Sequence, residues 1–170
     1  MKYFFLFFLF LYSQSYGQDK FEDYFTANTM RIDYILAGNS AFTHAYFSQA
    51  ILGGSWTGSR KNFKEPYVNG NYFFELYDLE SRELLFSKSF NTLFGEWQTT
   101  REAKTMKKAF QQTAFFPCPQ DSFEFRLNKR IDRNESEELL KIIVDPEDFL
   151  IKKDTVQGEF ITIEENAAYS

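Results

Sequence analysis

Cysteine and histidine are almost absent from this sequence of 170 residues, which has one of each, Cys118 and His44. A single cysteine cannot form a disulfide within the chain, and because it lies between two prolines we expect a packed or half-exposed thiol, not a nucleophile. A hydrolytic zinc site usually takes two or three histidines, so one histidine without an HExxH motif argues against a catalytic metal centre. A Ser–His–Asp triad would also need His44, and no G-x-S-x-G motif marks a serine.

Basic clusters are also lacking, and the formal net charge is −5 at pH 7. A nucleic-acid partner would need a concentrated basic face, whereas the lysines here alternate with acidic residues, so we expect no such partner. Adjacent acidic pairs such as Glu137 and Glu138 point to opposite faces of a strand and do not converge on a substrate as glycosidase carboxylates do. The sequence therefore assigns no catalytic, metal-binding or cofactor-binding residue.

Long apolar runs are confined to the N-terminus, where residues 3–12 form one uninterrupted run after Lys2. Ser15 and Gly17 are small residues at the positions expected before a cleavage site. The pattern predicts a secretory signal peptide over residues 1–17, cleaved just before Gln18, whose apolar run is too short to span a bilayer. We expect the mature protein to be secreted, periplasmic or at the cell surface, with no membrane span.

Strand-like segments make up most of the remaining chain, which is long enough for one domain with its own core. These segments alternate apolar and polar residues, are rich in Phe and Tyr, and are separated by polar turns. The predicted strands are residues 30–36, 44–52, 71–77, 83–90, 108–116, 123–131 and 137–144. Because helices do not alternate regularly with these strands, we predict an all-β fold, an antiparallel β-sandwich of immunoglobulin- or fibronectin-like architecture with one short helix.

The segment from residue 90 to 119 has the least regular pattern and contains Trp97. Thr99 and Glu102 have the spacing of a capping box, which predicts a short helix near residues 100–106. We expect this segment to cross between the two sheets at one end of the sandwich, with the tryptophan anchoring the helix.

The sequence of the C-terminal strands gives three further expectations. Pro117 and Pro119 are expected to end the strand that precedes them, because proline has no N–H to donate to a strand ladder. The strand over residues 123–131 is expected to direct its alternate apolar residues inward, Ile131 included. Residues 137–144 are almost continuously apolar, which favours a central strand.

Aromatic side chains raise the hypothesis of a ligand-binding surface. The residues that could form a stacking platform for a carbohydrate, or contact a protein, are Trp56, Trp97, Tyr67 and Tyr72. Core and loop packing is the other interpretation of these residues, since nothing in their spacing places the two tryptophans on one surface.

A central run and several shorter stretches carry a resemblance to a known family. The central run is SFNTLFGEWQTT at residues 89–100, followed by Glu102 and Ala103. The supporting stretches are FEDYF at 21–25, RIDY at 31–34, Gly38-Asn39, Trp56, Gly58, Arg60, FELYD at 74–78, Phe116-Pro117, Pro119 and VDP at 144–146. Together they resemble the N-terminal domain of the bacterial IgA-peptidase family, whose members are secreted zinc metallopeptidases.

The resemblance implies that residues 18–152 form a non-catalytic β-sandwich, which in this family precedes a catalytic domain with an HExxH zinc helix. No HExxH occurs here, so no catalytic residue is carried over and we expect an accessory domain, not an enzyme. Its expected partner is a metallopeptidase catalytic domain, or a surface glycan or protein, and residues 153–170 are interpreted as a linker-like tail. The chain could be a split or truncated relative of a longer peptidase. The alternative is a stand-alone carbohydrate- or protein-binding module at the cell surface.

Overall fold

The computed structural model describes residues 20–67, 69–148 and 150–154, so the predicted signal peptide and most of the tail lie outside the described residues. This part of the chain contains eight strands, two short α-helices and a 3₁₀ turn, and all seven predicted strands are present. The strands are β1 (Phe25–Gly38), β2 (Thr43–Ser55), β3 (Tyr72–Asp78), β4 (Leu84–Phe90), β5 (Lys108–Pro119), β6 (Phe123–Asp132), β7 (Glu135–Val144) and β8 (Lys152–Lys153). The helices are α1 (Phe21–Tyr24) and α2 (Leu93–Gln98), and the 3₁₀ turn is Glu102–Lys104.

Two four-stranded sheets form a sandwich, which confirms the predicted all-β fold. The strand order is β5-β1-β2-β8 in the first sheet, called sheet A, and β4-β3-β6-β7 in the second, called sheet B. Neighbouring strands are antiparallel, except that β8 pairs with β2 in parallel over two residues. The chain changes sheets after β2, β4, β5 and β7, so each sheet is assembled from separate parts of the sequence.

The core between the sheets consists largely of aromatic rings. On β1 the alternate residues Met30, Ile32, Tyr34 and Leu36 have no exposed surface, as the period-two pattern predicts. A cluster of phenylalanines fills the centre with ring centroids 5.6 to 6.4 Å apart, and its members are Phe74, Phe86, Phe116, Phe123 and Phe125. Ring pairs at these separations add about 0.5–1.5 kcal/mol each beyond the burial of their area.

The segment between β4 and β5 crosses from sheet B to sheet A, as predicted, but its helix is not where the capping-box pattern placed it. Helix α2 lies one to two turns before residues 100–106. It begins after Thr92, whose Oγ1 accepts a hydrogen bond of 2.9 Å from the Gly95 N–H. Thr99, predicted as the N-cap, lies at the C-terminal end of α2. Thr92 therefore supplies the cap that satisfies a free amide of the first turn.

Glu102 has a different role from the one the capping box predicts. Its carboxylate accepts hydrogen bonds from Trp97 Nε1 and from Lys108 Nζ, both at 2.7 Å. The Trp97 ring packs against Phe94 and Phe110 with centroids 5.7 Å away in both cases. Glu102 thus secures the buried tryptophan, and α2 is anchored to the sandwich by aromatic packing.

Position within the sheets corrects three further expectations. Pro117 does not end β5, which continues to Pro119 as its last residue, because β5 is an edge strand and a residue without an N–H is tolerated in a strand that pairs along one side only. Residues 137–144 do not form a central strand, since β7 is the edge of sheet B and most of its residues are exposed. Ile131 does not face the core: it is 54% exposed, next to the register shift at the end of β6.

The outer edge of β4 is covered by the connection between β2 and β3. The Ser87 N–H donates to the Phe63 carbonyl oxygen at 2.9 Å, and the Ser89 N–H donates to Glu65 Oε2 at 2.8 Å. The Glu65 N–H in turn donates to Ser87 Oγ at 2.7 Å. Because these donors are already used, this stretch of β4 is closed to pairing with another strand.

Candidate functional site

The four aromatic residues proposed from the sequence occupy different environments. Tyr72 is fully buried and Trp97 is 9% exposed, so both contribute to the core. Trp56 is half-buried, with its ring centroid 6.4 Å from that of Phe86. Tyr67 is 76% exposed in the connection between β2 and β3. Tyr67 is therefore the one of these four residues that is mostly exposed to solvent.

A different set of aromatic side chains lies on the outer face of sheet A. The aromatic row consists of Phe42, which directly precedes β2, and of His44 and Tyr46 at the start of β2, with 5.2 and 6.4 Å between successive ring centroids. Tyr46 is 56% exposed and lies opposite Ile35 of β1, which is 36% exposed. Lys107 Nζ is 5.3 Å from the Phe42 ring centroid and adds a positive charge at one end of the row.

A groove of about 480 Å³ follows the aromatic row, and its walls are Ala37, Gly38, Phe42, His44, Tyr46, Lys107, Lys108 and Ala109. The backbone of Phe42 approaches Gly38 closely. A Cβ on residue 38 would lie 2.1 Å from the Phe42 carbonyl oxygen, so this position requires glycine. The exposed ring faces and the lysines at the rim suit an apolar protein surface or the ring of a sugar.

A second apolar groove, called the edge groove, opens between the sheets beside β2 and β7 and has a volume of about 600 Å³. Its lining residues are Phe47, Ser48, Gln49, Ala50, Ile142, Ile143, Val144, Asp145, Asp148, Leu150, Ile151 and Lys152. Phe47, Ile143 and Leu150 are 46%, 65% and 73% exposed. Three large apolar side chains around one groove mark a surface that another segment or molecule can cover.

A buried carboxylate lies on the same face of sheet A as the aromatic row. Asp33 is 2% exposed and accepts hydrogen bonds from Gln49 Nε2 at 2.6 Å, Thr113 Oγ1 at 2.8 Å and Arg31 Nη2 at 3.1 Å. Burial raises the pKa of this carboxyl, but the three hydrogen bonds and the Arg31 charge outweigh burial and hold the pKa below its ordinary value of 3.8. The ionised Asp33 carboxylate therefore links β5, β1 and β2 by hydrogen bonds. Because its lone pairs are already occupied, it is poorly suited to proton transfer.

Replacing Asp33 with Asn is expected to lower the free energy of unfolding by about 1–3 kcal/mol at pH 7, since the charged acceptor of three hydrogen bonds is lost. A carboxyl whose folded-state pKa is lowered contributes stability above its ordinary pKa and loses this contribution as the pH falls through the lowered value. The deficit of the variant should therefore shrink below about pH 4, as measured by urea unfolding at a series of pH values. Asp121→Asn, in an exposed turn, is the control. A deficit for Asp33→Asn that is constant across this range would contradict the assignment.

Sheet B has a comparable buried acid on its outer face. Glu124 is 2% exposed and forms ion pairs with Arg126, with Lys141 at 3.0 Å and with Arg82 at 3.5 Å. Burial raises the pKa of Glu124, but the hydrogen bonds from Lys141 and Arg126 outweigh burial, so the pKa is lowered. With three cations around it, this carboxylate stabilises sheet B and is closed to a substrate.

Within the described residues, no group of three or more His, Cys, Asp or Glu side chains could hold a metal ion. His44 lies exposed on the strand surface, as expected. Cys118 is 2% exposed and burial raises the pKa of its thiol, which agrees with the predicted packed cysteine. No helix in the described ranges is long and apolar enough to cross a membrane.

The aromatic row has a signal in the sequence, although the residues predicted from the sequence were Trp56, Trp97, Tyr67 and Tyr72. Phe42, His44 and Tyr46 have the period-two spacing of one strand face. The signal is weak because Ala45 and Phe47, on the opposite face, are also apolar, so the segment shows no polar alternation. Which face of β2 meets solvent depends on the sandwich and not on the local pattern.

Comparison with known proteins gives a family for most of the described chain. The family profile described as Peptidase M64 N-terminus matches residues 20–141. This range contains β1 to β6 and most of β7, and so includes the aromatic row and nearly all of the core. A search among curated proteins gives no significant match.

Proposed function

Because the chain belongs to the peptidase M64 family, the IgA peptidases, through that family's N-terminal domain, we propose that it is an accessory domain with a binding role. The match confirms the resemblance found in the sequence, and it covers the non-catalytic N-terminal domain. In the proposed role, the domain is secreted and packs against a zinc peptidase catalytic domain. The observation that carries this proposal is the exposed aromatic row on sheet A of a domain that matches a peptidase N-terminus.

The surface proposed for this contact is the aromatic row together with Ile35. Contiguous exposed apolar groups of this kind are uncommon on monomeric proteins away from interaction sites. Tyrosine is among the residues that contribute most to binding at interfaces, and Tyr46 is 56% exposed on this face. His44 and Tyr46 lie on β2 where it pairs with β1, so their ordering on binding costs little free energy.

Affinity for a separately produced M64 catalytic domain, measured by isothermal titration calorimetry, tests the proposal. Replacing Tyr46 with Ser should weaken the affinity at least about tenfold, because a central aromatic contact is removed. The matched control is Tyr67→Ser, which removes an even more exposed tyrosine from the connection between β2 and β3. Equal affinities for the two variants would place the interface elsewhere. Failure of the wild-type domain to bind at all would overturn the accessory role.

The aromatic row also favours a second candidate function, a stand-alone carbohydrate- or protein-binding module at the cell surface. Sugar rings stack on exposed aromatic faces, and the groove beside Tyr46 is open to solvent. Binding of soluble oligosaccharides that is lost in Tyr46→Ser, with no affinity for the catalytic domain, would support this function in place of the first.

A further inference from the structure

One side of the sandwich has two open sheet edges among the residues described. β2 pairs with β8 at two residues alone, so residues 43–50 have no described strand on this side. β7 pairs with β6, and no described strand lies along its other side. Both edges border the edge groove, which Ala50 and Val144 line. Unpaired edges beside an apolar groove are favourable places for the addition of a strand.

The opposite side of the sandwich is less suited to strand addition. The edge of β4 is covered at Ser87 and Ser89 by the connection between β2 and β3. The edge strand β5 ends in a segment with Pro117 and Pro119, and proline on an edge discourages pairing because it has no N–H to donate. An added strand is therefore better accommodated beside β7.

The C-terminal half of β7 is apolar. Residues 139–144, LLKIIV, contain one charged side chain, that of Lys141, which is ion-paired with Glu124 at 3.0 Å. Phe47 and Leu150, which also line the edge groove, leave apolar surface exposed. At about 3.4 Å per residue this stretch of β7 is about 20 Å long. The edge groove therefore fits the alternate apolar side chains of one short extended segment.

Acidic residues lie at both ends of this apolar stretch. Residues 135–153 contain six acidic residues and three lysines, so this part of the chain has a net negative charge. Arg126 lies 3.9 Å from one of the acids, Glu138. The exposed acids are Glu135, Glu137 and Glu138 before the stretch and Asp145, Glu147 and Asp148 after it. A segment with basic residues on both sides of an apolar centre is complementary to this edge.

A second copy of this chain is a poor match for the same edge. Two β7 strands would pair antiparallel about a two-fold axis. If their apolar stretches were aligned, the acids at the start of each strand would face the acids that follow the other strand. Like charges directly opposite each other are destabilising, and the whole chain has a formal net charge of −5. The charges therefore favour a partner of a different kind.

We propose that an extended segment of another protein, with apolar residues at alternate positions and lysine or arginine at both ends, adds as a strand to the open edge of β7. Its apolar side chains enter the edge groove beside Phe47, and its cations lie against the acids at the two ends. Backbone hydrogen bonds to β7 supply affinity, while the groove and the acids select the sequence. The edge groove shares no lining residue with the groove beside the aromatic row, so this proposal does not depend on the function proposed above.

Fluorescence anisotropy of labelled peptides with blocked termini, titrated with residues 18–170 of the chain at low salt, tests the proposal. The peptide KKVTVTVKK should bind at least about tenfold more tightly than EEVTVTVEE, in which the charges are reversed. It should also bind at least about tenfold more tightly than KKVTPTVKK, because a central proline removes a backbone donor and disfavours pairing. Equal affinities for KKVTVTVKK and KKVTPTVKK would mean that charge alone holds the peptide, and strand addition would be wrong.

Two phenylalanine variants test the groove. Phe47→Ser should weaken the binding of KKVTVTVKK at least about fivefold, because an apolar wall of the groove is lost. The matched control, Phe115→Ser, removes a similarly exposed phenylalanine from β5 and should change the affinity by no more than about twofold. Equal effects of the two variants would place the peptide outside the edge groove.

Two double charge reversals test the acids. Glu137→Lys combined with Glu147→Lys should weaken the binding of KKVTVTVKK at least about fivefold, since attractions at both ends become repulsions. Asp23→Lys combined with Glu80→Lys changes the net charge by the same amount at exposed positions outside the groove, and should change the affinity by no more than about twofold. Equal losses in the two double variants would show that net charge, and not this edge, attracts the peptide.

Hydrogen–deuterium exchange locates the bound peptide. Amides of residues 139–144 should exchange at least about fivefold more slowly with KKVTVTVKK than without it. Slowing confined to β5 would place the added strand on the other sheet and overturn the proposal. Failure of KKVTVTVKK to bind would overturn it as well. So would a chain that elutes as a dimer in size-exclusion chromatography and becomes monomeric in Phe47→Ser, because a second copy would then fill the groove.

Discussion

Replacing Phe116 with Ala is expected to lower the free energy of unfolding by about 3–5 kcal/mol, a large part of the stability of a domain of this size. Phe116 has no exposed surface and lies at the centre of the phenylalanine cluster. Its ring centroid is within 5.7 to 6.4 Å of four others, those of Phe74, Phe86, Phe123 and Phe125. Removing it leaves a cavity between the two sheets that surrounding side chains cannot fill.

The adjacent residue gives a matched control for this prediction. Phe115 lies on the opposite face of β5 and is 52% exposed, so Phe115→Ala should cost less than about 1 kcal/mol. Urea unfolding followed by tryptophan fluorescence measures both variants. Similar losses for the two variants would mean that β5 does not direct Phe116 into the core.

Replacing Gln98 with Ala is expected to cost about 2–4 kcal/mol, because several part-buried groups lose their hydrogen-bond partner at once. Gln98 Nε2 donates to the Asn39 carbonyl oxygen at 2.6 Å and to Thr43 Oγ1 at 3.1 Å. Its Oε1 accepts from Tyr72 Oη at 3.2 Å and from Lys129 Nζ at 3.4 Å. One amide therefore joins α2 to the turn between β1 and β2 and to sheet B.

The control for Gln98 is Gln111→Ala, which removes an exposed glutamine from β5 and should change the free energy of unfolding by about 0.5 kcal/mol or less. Both variants are measured by urea unfolding. If Gln98→Ala is as stable as Gln111→Ala, the hydrogen bonds of Gln98 make no net contribution to the free energy of unfolding.

Local patterns in the sequence were enough to predict the strands and the class of fold. Alternation along β1 gives the inward positions correctly, and turn residues separate the strands where the structure separates them. Position within a sheet is a non-local property, and the errors occur there. The apolar residues of β7 are compatible with a central strand, and Pro117 is compatible with a strand end, until the neighbours of each strand are known.

The helix in the crossing segment shows how two local signals compete. Thr92 and Thr99 are both acceptable N-caps, and Glu102 three residues after Thr99 makes the second site look stronger. The tertiary structure decides between them, because Trp97 must be buried and the Glu102 carboxylate accepts a hydrogen bond from its indole. A sequence pattern cannot show that a side chain is already engaged elsewhere.

The candidate surface was harder to predict than the fold. The sequence predicted a stacking surface of two tryptophans and two tyrosines, but Trp97 and Tyr72 lie in the core. The aromatic row is built instead from Phe42, His44 and Tyr46. Solvent exposure depends on which face of a sheet is covered by the other sheet, and this information is distributed over the whole chain.

The covered edge of β4 also limits how far sheet B can extend by pairing with further molecules. Growth of a sheet into a fibre requires each added molecule to offer a fresh edge for the next, as in head-to-tail assembly. In sheet B the amides of Ser87 and Ser89 are occupied by Phe63 and Glu65 of the same chain. If a second copy paired with β7 through its own β7, the joined sheet would end at the covered stretch of β4 on both sides and would not extend further.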